Sequence, residues 1–245
     1  MITYALIGEP LGHSFSQRYF TQRFASLHLA NHRYLLAPIL SLDGLRQRAA
    51  DEQWRGFNVT IPYKQAILPL LDSISPEAQA IGAVNCVKIN AQGQWIGYNT
   101  DAPAFRDTLF PLLKEHHREA LLFGTGGASK AVAYVLQQMG IDYLQVSRQP
   151  KGPHQIAYSE VPQWVDTHLL LINATPLGTV GSFEGLSPLP SSLSLSERHL
   201  CYDLVYNPTP TPFLAQAARQ GASVQGGLPM LYRQADLSWE LWNTL

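Results

Sequence analysis

Cysteine is nearly absent: only Cys86 and Cys201 occur in 245 residues. Each lies inside an apolar stretch and neither sits in a C-x-x-C or metal-ligand spacing, so they read as buried free thiols and exclude a disulfide framework. His28 and His32 stand four apart, but no third ligand or glutamate motif accompanies them; a metal hydrolase finds no support and no metal is expected. No G-x-S-x-G elbow occurs, which argues against a serine hydrolase. Charge is sparse as well, with 14% Asp, Glu, Lys and Arg and a net charge of −1. Long charged tails are therefore excluded, and so is a nucleic-acid partner, which needs a basic stripe. An anionic substrate must be met by a few placed cations and donors. No apolar run approaches the ~20 residues of a membrane span, and the run in "MITYALIGEP" is too short for a signal peptide. A cytoplasmic protein without membrane contact is expected. The glycosylation-like triplets Asn58-Val-Thr60 and Asn173-Ala-Thr175 are then chance matches.

What the chain does have is apolar material, 46% of its residues, enough for real cores. At roughly 150 residues per domain its length suggests one large domain or two modest ones. "TYALIG" (3–8) reads as a strand, and Phe20, Phe24 and Leu27 follow at helical spacing. "GFNVTIP" (56–62) is a second strand; "AVNCVKI" (83–89) and "QWIGYNT" (94–100) form a hairpin around "NAQG". A helix starts near Asp101, which serves as its N-cap or first-turn acid.

The character changes after "KEHHRE" (114–119). "ALLFG" is a buried strand, followed by an Ala-rich helix closed by Gly140, then strands in "YLQVSR" (143–148), "HLLLINAT" (168–175) and "LCYDLVY" (200–206). Short apolar runs separated by helices are what a parallel sheet covered on both faces requires. The expected fold is α/β with two domains. The first spans residues 1–101; a Rossmann-like, doubly wound domain spans 102–227. A closing helix over 228–245, with Met230, Leu231, Leu237, Trp239 and Leu241, packs back on the first domain. "GLSPLPSSLSLSE" (185–197) reads as a surface loop.

Between "ALLF" and the Ala-rich helix sits Gly124-Thr-Gly126-Gly127-Ala-Ser129. Glycines there permit a tight strand-to-helix turn and let a pyrophosphate approach the N–H groups and dipole of a helix N-terminus. An NAD site normally offers an acid at the end of the next strand. Here the residues are Ser147-Arg148-Gln149-Pro150-Lys151, with no acid. Charge-assisted bonds to phosphate are worth roughly 1.5–3 kcal/mol each, so Arg148 facing a 2′-phosphate favours NADP, with Lys151 a weaker second candidate.

In the first domain, Ser14 and Ser16 lie in the loop before the first helix, where two hydroxyls suit a carboxylate better than capping, which needs only one. Asn58, Thr60, Asn85 and Asn99 recur at strand ends, with Lys64 and Asp101 just beyond strands. Together they suggest a hydroxyl-rich, acidic small molecule. "GEPLGHSFS", "GFNVTIPYK", "IGAVNCV", "YNTD", "FGTGGASKA", "INATPLG", "YDLVYNPTPTPFL" and "GGLPMLYRQA" follow in order the pattern of the shikimate dehydrogenase family, which the chain resembles from residue 4 to about 242.

That resemblance implies an N-terminal substrate domain, an NADP-binding Rossmann-like domain, and reversible NADPH-linked reduction of 3-dehydroshikimate to shikimate. It implies Lys64 and Asp101 as the catalytic pair and Ser14 and Ser16 as carboxylate-binding hydroxyls. Thr60, Asn85 and Gln234 would hold the ring hydroxyls, with Asn58 also among the substrate-binding residues and Tyr206 lining the site. Gly124, Gly126, Gly127, Ala128, Ser129, Ser147, Arg148, Asn173, Ala174, Thr175 and Gly227 match the cofactor set. The chain departs from the family pattern at Gln17, where proline is usual, and at Ala102 and Pro103 after "NTD", which stiffen the backbone. It departs again at Ser147, where asparagine is usual. None of these removes a group the reaction needs.

Hydride reaching a ketone carbon requires a proton at the oxygen. A lysine amine is protonated at neutral pH, so Lys64 would bond the carbonyl oxygen and stabilise the alkoxide while Asp101 orients it. Three rival readings stay open: an NAD-linked quinate/shikimate dehydrogenase, a non-catalytic NADP- or shikimate-binding regulator, and Lys64 as a Schiff-base nucleophile. A monomer or homodimer acting on a small molecule is expected.

Overall fold

The computed structural model describes residues 1–11 and 15–244. The chain divides into two compact units, residues 1–100 with 232–245 and residues 101–231. The first contains β1 (Ile2–Gly8), α1 (Phe15–Ser26), β2 (His32–Pro38), α2 (Leu45–Asp51), β3 (Trp54–Val59), β4 (Ser73–Ile74), α3 (Pro76–Ile81), β5 (Cys86–Ile89) and β6 (Trp95–Tyr98). Its sheet runs β2-β1-β3-β5-β6-β4. β1 is parallel to both β2 and β3, whereas β5 is antiparallel to β3 and β6, so the expected hairpin joins Cys86 to Tyr98 and Ile89 to Trp95. β3 ends at Val59, short of Pro62. The Ile61 carbonyl accepts from Glu9 N instead, and Pro62 has no N–H to carry a ladder further.

The second unit contains α4 (Asp101–Leu109), β7 (Glu119–Phe123), α5 (Gly127–Gln138), β8 (Asp142–Ser147), β9 (Gln155–Ala157), α6 (Val161–Trp164), β10 (Leu170–Asn173), β11 (Leu200–Asp203), α7 (Pro212–Arg219) and β12 (Ser223–Gln225). α8 (Leu228–Asn243) begins in this unit and passes to the first at Tyr232. The sheet order is β12-β11-β10-β7-β8-β9, with every pairing parallel. Strand β7 is the first strand of the unit in sequence, and the order runs outward from it in both directions. That is the doubly wound Rossmann arrangement, and its switch point falls between β7 and β10, where such sheets bind ligands. α4 opens with Asp101 and carries Pro103 in its first turn, where a proline costs no helical hydrogen bond.

Side chains alternate across β1. Ala5 and Ile7 join Phe57, Val59, Val87 and Trp95 on one face; Tyr4 and Leu6 join Phe20, Phe24, Tyr34, Ala235 and Trp242 on the other. Trp242 of α8 stacks on Tyr4 with ring centroids 4.5 Å apart and donates through Nε1 to Val87 O at 3.0 Å. Its indole lies 2.3 Å from where a Cβ on Gly56 would stand, which explains a glycine inside β3.

The second unit's core gathers Leu121, Phe123, Val146, Leu171, Cys201 and Phe213. Residues 185–197 form no helix or strand, as expected, but they do not simply lie on the surface. Leu189 and Leu193 are buried in this core. Two glutamines of the α7 region hold the segment down: Gln216 Nε2 donates to Pro190 O at 2.8 Å, and Gln220 Nε2 to Leu193 O at 3.1 Å.

Candidate functional site

At the switch point the chain leaves β7 through Gly124, whose φ of +109° side-chain-bearing residues avoid. A Cβ there would lie 3.0 Å from the Ala174 carbonyl oxygen beyond β10, so backbone conformation and close approach both demand glycine. Gly126 differs. Its backbone is ordinary (φ −80°, ψ −174°), and a Cβ would meet nothing within 4 Å. Nothing among the described residues asks for glycine there. Open space before the first turn of α5 fits a group that must approach the backbone closely, as a pyrophosphate does. Gly127 and Ala128 begin that helix, and no acidic residue occupies its first turn.

Ser129 is buried, and its Oγ donates to Gly124 O at 2.6 Å. Gln145 of β8 supplies a second donor to Gly124 O and one to Ser129 Oγ, each at 2.9 Å. These bonds set the shape of the turn. Gln145 carried no signal in the sequence, because a single glutamine in a strand reads as solvated.

Asn173 is fully buried at the end of β10. Its Nδ2 donates to Leu177 O and Asp203 Oδ1, while Oδ1 accepts from Thr175 N and Oγ1. Its amide is thus spent on shaping the loop that contains Ala174 and Thr175. Asp203, which lies inside "YDLVYNPTPTPFL" but is not among the expected site residues, also accepts from Val205 N and Thr211 Oγ1. Burial pushes its carboxyl up to about 6, with these donors pulling the other way. Gly227 packs against the chain just beyond β11: a Cβ would fall 2.2 Å from Leu204 O. Tyr206 stands just beyond β11, partly exposed, with its hydroxyl pKa raised by burial.

β8 ends at Ser147, whose Oγ accepts from Gln149 N at 3.1 Å. Arg148 follows, exposed, and its charge reaches Tyr158, where it opposes the rise that burial gives that hydroxyl. A cation with no acid in the adjoining sequence 147–151 suits a phosphate.

In the first unit, Lys64 lies half-buried in the turn after β3. Its backbone is fixed there, because Lys64 O accepts from Val84 N at 2.8 Å. Thr60 closes on β1 through Thr60 N to Ile7 O at 2.9 Å, and Gly8 makes room for its methyl, 2.3 Å from a Cβ position. Asn58 is buried with its amide bonded to Tyr34 Oη, Asn85 O and Ser238 Oγ. Ser238 Oγ also meets Gln234 O and Thr100 Oγ1. Asn85 grips Thr100, accepting from its N at 2.7 Å and donating to its Oγ1 at 3.0 Å, and Asn99 donates to Ala83 O. Thr100 therefore holds the chain immediately before Asp101. Ser16, in the first turn of α1, hydrogen-bonds the buried Tyr34 hydroxyl, whose pKa burial drives well above its ordinary value. Ser14 lies outside the described residues. Tyr34 and Ser238 carried no sequence signal; their partners lie up to 180 positions away.

Among the described residues no group of three or more His, Cys, Asp or Glu is placed to hold a metal ion, and no helix is long and apolar enough to cross a membrane.

A doubly wound parallel sheet with a glycine turn at its switch point defines a dinucleotide-binding α/β protein. Residues 6–87 match the family model of the shikimate dehydrogenase substrate binding domain. The chain is 38% identical to the shikimate dehydrogenase (NADP(+)) of Thermus thermophilus over all of this chain and 94% of that protein. Among solved structures, shikimate 5-dehydrogenase from Thermus thermophilus in complex with NADP(H) and shikimate matches with a TM-score of 0.86 and 36% identity, covering 100% of this chain and 94% of that one. Quinate dehydrogenase from Corynebacterium glutamicum in complex with NAD matches with a TM-score of 0.88 and 27% identity, at the same coverages of 100% and 94%. The chain belongs to the shikimate dehydrogenase family.

Proposed function

We propose that this chain is an NADP-dependent shikimate dehydrogenase, interconverting 3-dehydroshikimate and shikimate in aromatic biosynthesis. The observation that carries this reading is the 38% identity over the whole chain to an NADP-linked shikimate dehydrogenase. The open cradle at Gly126 supports the cofactor class, and Arg148 without a neighbouring acid supports NADP.

When bound, NADPH supplies the hydride. Lys64, presented by a turn fixed at its own carbonyl, holds an ammonium at the substrate carbonyl oxygen and stabilises the alkoxide. Asp101 orients that amine and the substrate hydroxyls, and the Asn85–Thr100 clamp sets the backbone that leads to it. Ser14 and Ser16 take the substrate carboxylate; Thr60, Asn85 and Gln234 take ring hydroxyls, beside Tyr206. Asn58 contributes by fixing Tyr34, which in turn holds Ser16. Gly124, Gly126, Gly127 and Ala128 cradle the pyrophosphate on a turn that Ser129 shapes. Ser147 and Arg148 face the 2′-phosphate. Ala174, Thr175 and Gly227 border the nicotinamide end, with Asn173 holding that loop. The protein works on a small acid in the cytoplasm, as a monomer or homodimer.

The likeness to an NAD-bound quinate dehydrogenase makes quinate with NAD the competing reading. Formation of reduced cofactor, followed by absorbance with shikimate or quinate and NADP or NAD, separates them. Turnover confined to shikimate and NADP supports the proposal; preference for quinate or NAD replaces its specificity. Absence of turnover in a folded protein that still binds NADP would point to a regulatory binder.

A further inference from the structure

The glycine turn after β7 and the segment after β8 are joined by a chain of side-chain amides. Gln145 holds Gly124 O and Ser129 Oγ with its two amide hydrogens. Its Oε1 accepts from Gln155 Nε2 at 2.9 Å. Gln155 Oε1 in turn accepts from the backbone N of Lys151, also at 2.9 Å. The register of β8 on β9 sets Gln145 opposite Gln155, so the two side chains share a face of the sheet.

β9 is only three residues long and is the edge strand of its sheet, so its backbone ladder anchors residues 148–154 weakly. Those residues are exposed throughout. Beside one backbone bond, Gln145 N to His154 O at 2.9 Å, the amide chain ties this loop to the turn. A glutamine in a strand packed beside the apolar β7 loses hydration and is tolerated only when its bonds are made. Here the bonds run along one line, from the Lys151 backbone to the Gly124 carbonyl.

We infer that Gln155, acting through Gln145, is a positioning residue for cofactor selectivity: it holds the Arg148 loop at a fixed place relative to the glycine turn. The inference rests on the reading of Arg148 as the ligand of the NADP 2′-phosphate. A pyrophosphate on the turn and a 2′-phosphate at Arg148 belong to one molecule, so the spacing between the two loops decides whether both are met at once. Holding that spacing before binding removes part of the ordering cost. NAD lacks the 2′-phosphate and does not sense the loop.

The test is calorimetric affinity for NADP and for NAD in the wild type, Arg148→Ala, Gln155→Met, Gln155→Glu and the double variant Arg148→Ala/Gln155→Met, with melting temperatures alongside. Arg148→Ala is expected to weaken NADP by about 10-fold or more while NAD stays within about twofold. Gln155→Met is expected to weaken NADP by about 3- to 10-fold and to leave NAD within about twofold. The double variant is expected to bind NADP no more weakly than Arg148→Ala alone, since the link matters only through Arg148. Gln155→Glu keeps an acceptor for Lys151 N but loses the donor to Gln145; it should follow Gln155→Met and serves if the methionine variant fails to fold. Equal weakening of NADP and NAD in folded Gln155 variants, or effects that multiply in the double variant, would overturn the inference and leave the glutamine pair a structural one. If Arg148→Ala leaves the NADP-to-NAD ratio unchanged, the assignment of Arg148 fails first, and the inference falls with it.

Discussion

Asn173 Nδ2, at the end of β10, donates to Asp203 Oδ1, at the paired position of β11, across 2.9 Å. The same carboxylate takes Val205 N at 2.9 Å and the Thr211 hydroxyl at 2.6 Å. One buried acid thereby fixes the loop after β10, the start of the loop carrying Tyr206, and the residue that caps α7. Replacing it by alanine strands three buried partners, and Asp203→Ala should lose roughly 3 kcal/mol or more of stability in denaturant titrations.

The same acid has a signed pH signature. Its folded pKa is raised to about 6 from an ordinary 3.8. Its contribution is therefore fully present below the unfolded pKa and is lost as pH rises through about 6. Asp203→Asn removes that gain on acidification. The variant should lose more stability between pH 7.5 and pH 5 than the wild type does; an unchanged difference would show that the carboxyl does not titrate in that range.

Two glycines of one turn should fail in different ways. Gly124→Ala places a side chain at φ +109° and 3.0 Å from Ala174 O, so it should cost about 1–3 kcal/mol of folding stability. Gly126→Ala meets nothing among the described residues and should fold as the wild type does, yet bind NADP at least about 10-fold more weakly as its methyl takes the space of the pyrophosphate. Melting curves and cofactor titrations of the two variants check both halves.

Lys64→Ala should lower kcat by about 10²- to 10⁴-fold with little change in KM for shikimate. An unchanged turnover number with a raised KM would make Lys64 a binding residue alone.

Burial lowers the pKa of His117, opposed by its bond to the Arg198 carbonyl and reinforced by the neighbouring charges of His116, Lys114 and His199. The ring accepts Lys114 N at Nδ1, which a second proton would end. A lowered folded pKa means that the unfolded chain takes up the proton first. Stability is then lost as pH falls below about 6.5 toward the folded value, opposite in sign to Asp203. His117→Gln should shrink the loss between pH 7.5 and pH 5.5 in denaturant titrations. A loss equal to that of the wild type would place the acid sensitivity elsewhere, His168 being next, also lowered by burial.

By itself the sequence determined the elements whose signal is local. β1, β7, β10 and β11 show as apolar runs, β5 and β6 as alternation around a turn, and α5 as an Ala-rich stretch between glycines; each needs only neighbours within a few residues to be legible. The glycine turn and the bare Arg148 were legible for the same reason. The short elements β4, β9, β12 and α6 run two to four residues, too few for a period to register, and α7 was missed beside its long loop. What only the tertiary structure decided is where polar side chains spend their bonds. Asn58, Ser129 and Asn173 stand in the sequence as candidate ligand contacts, but in the fold they bond Tyr34, Ser238, Gly124 and Asp203. Gln145 and Gln155 carry no motif at all, and Asp203, though inside "YDLVYNPTPTPFL", carries nothing that marks it as a hub. A hydrogen bond is made over about 3 Å of space between residues that can be far apart along the chain, so residue type shows what a side chain can bond, and only the fold supplies the partner.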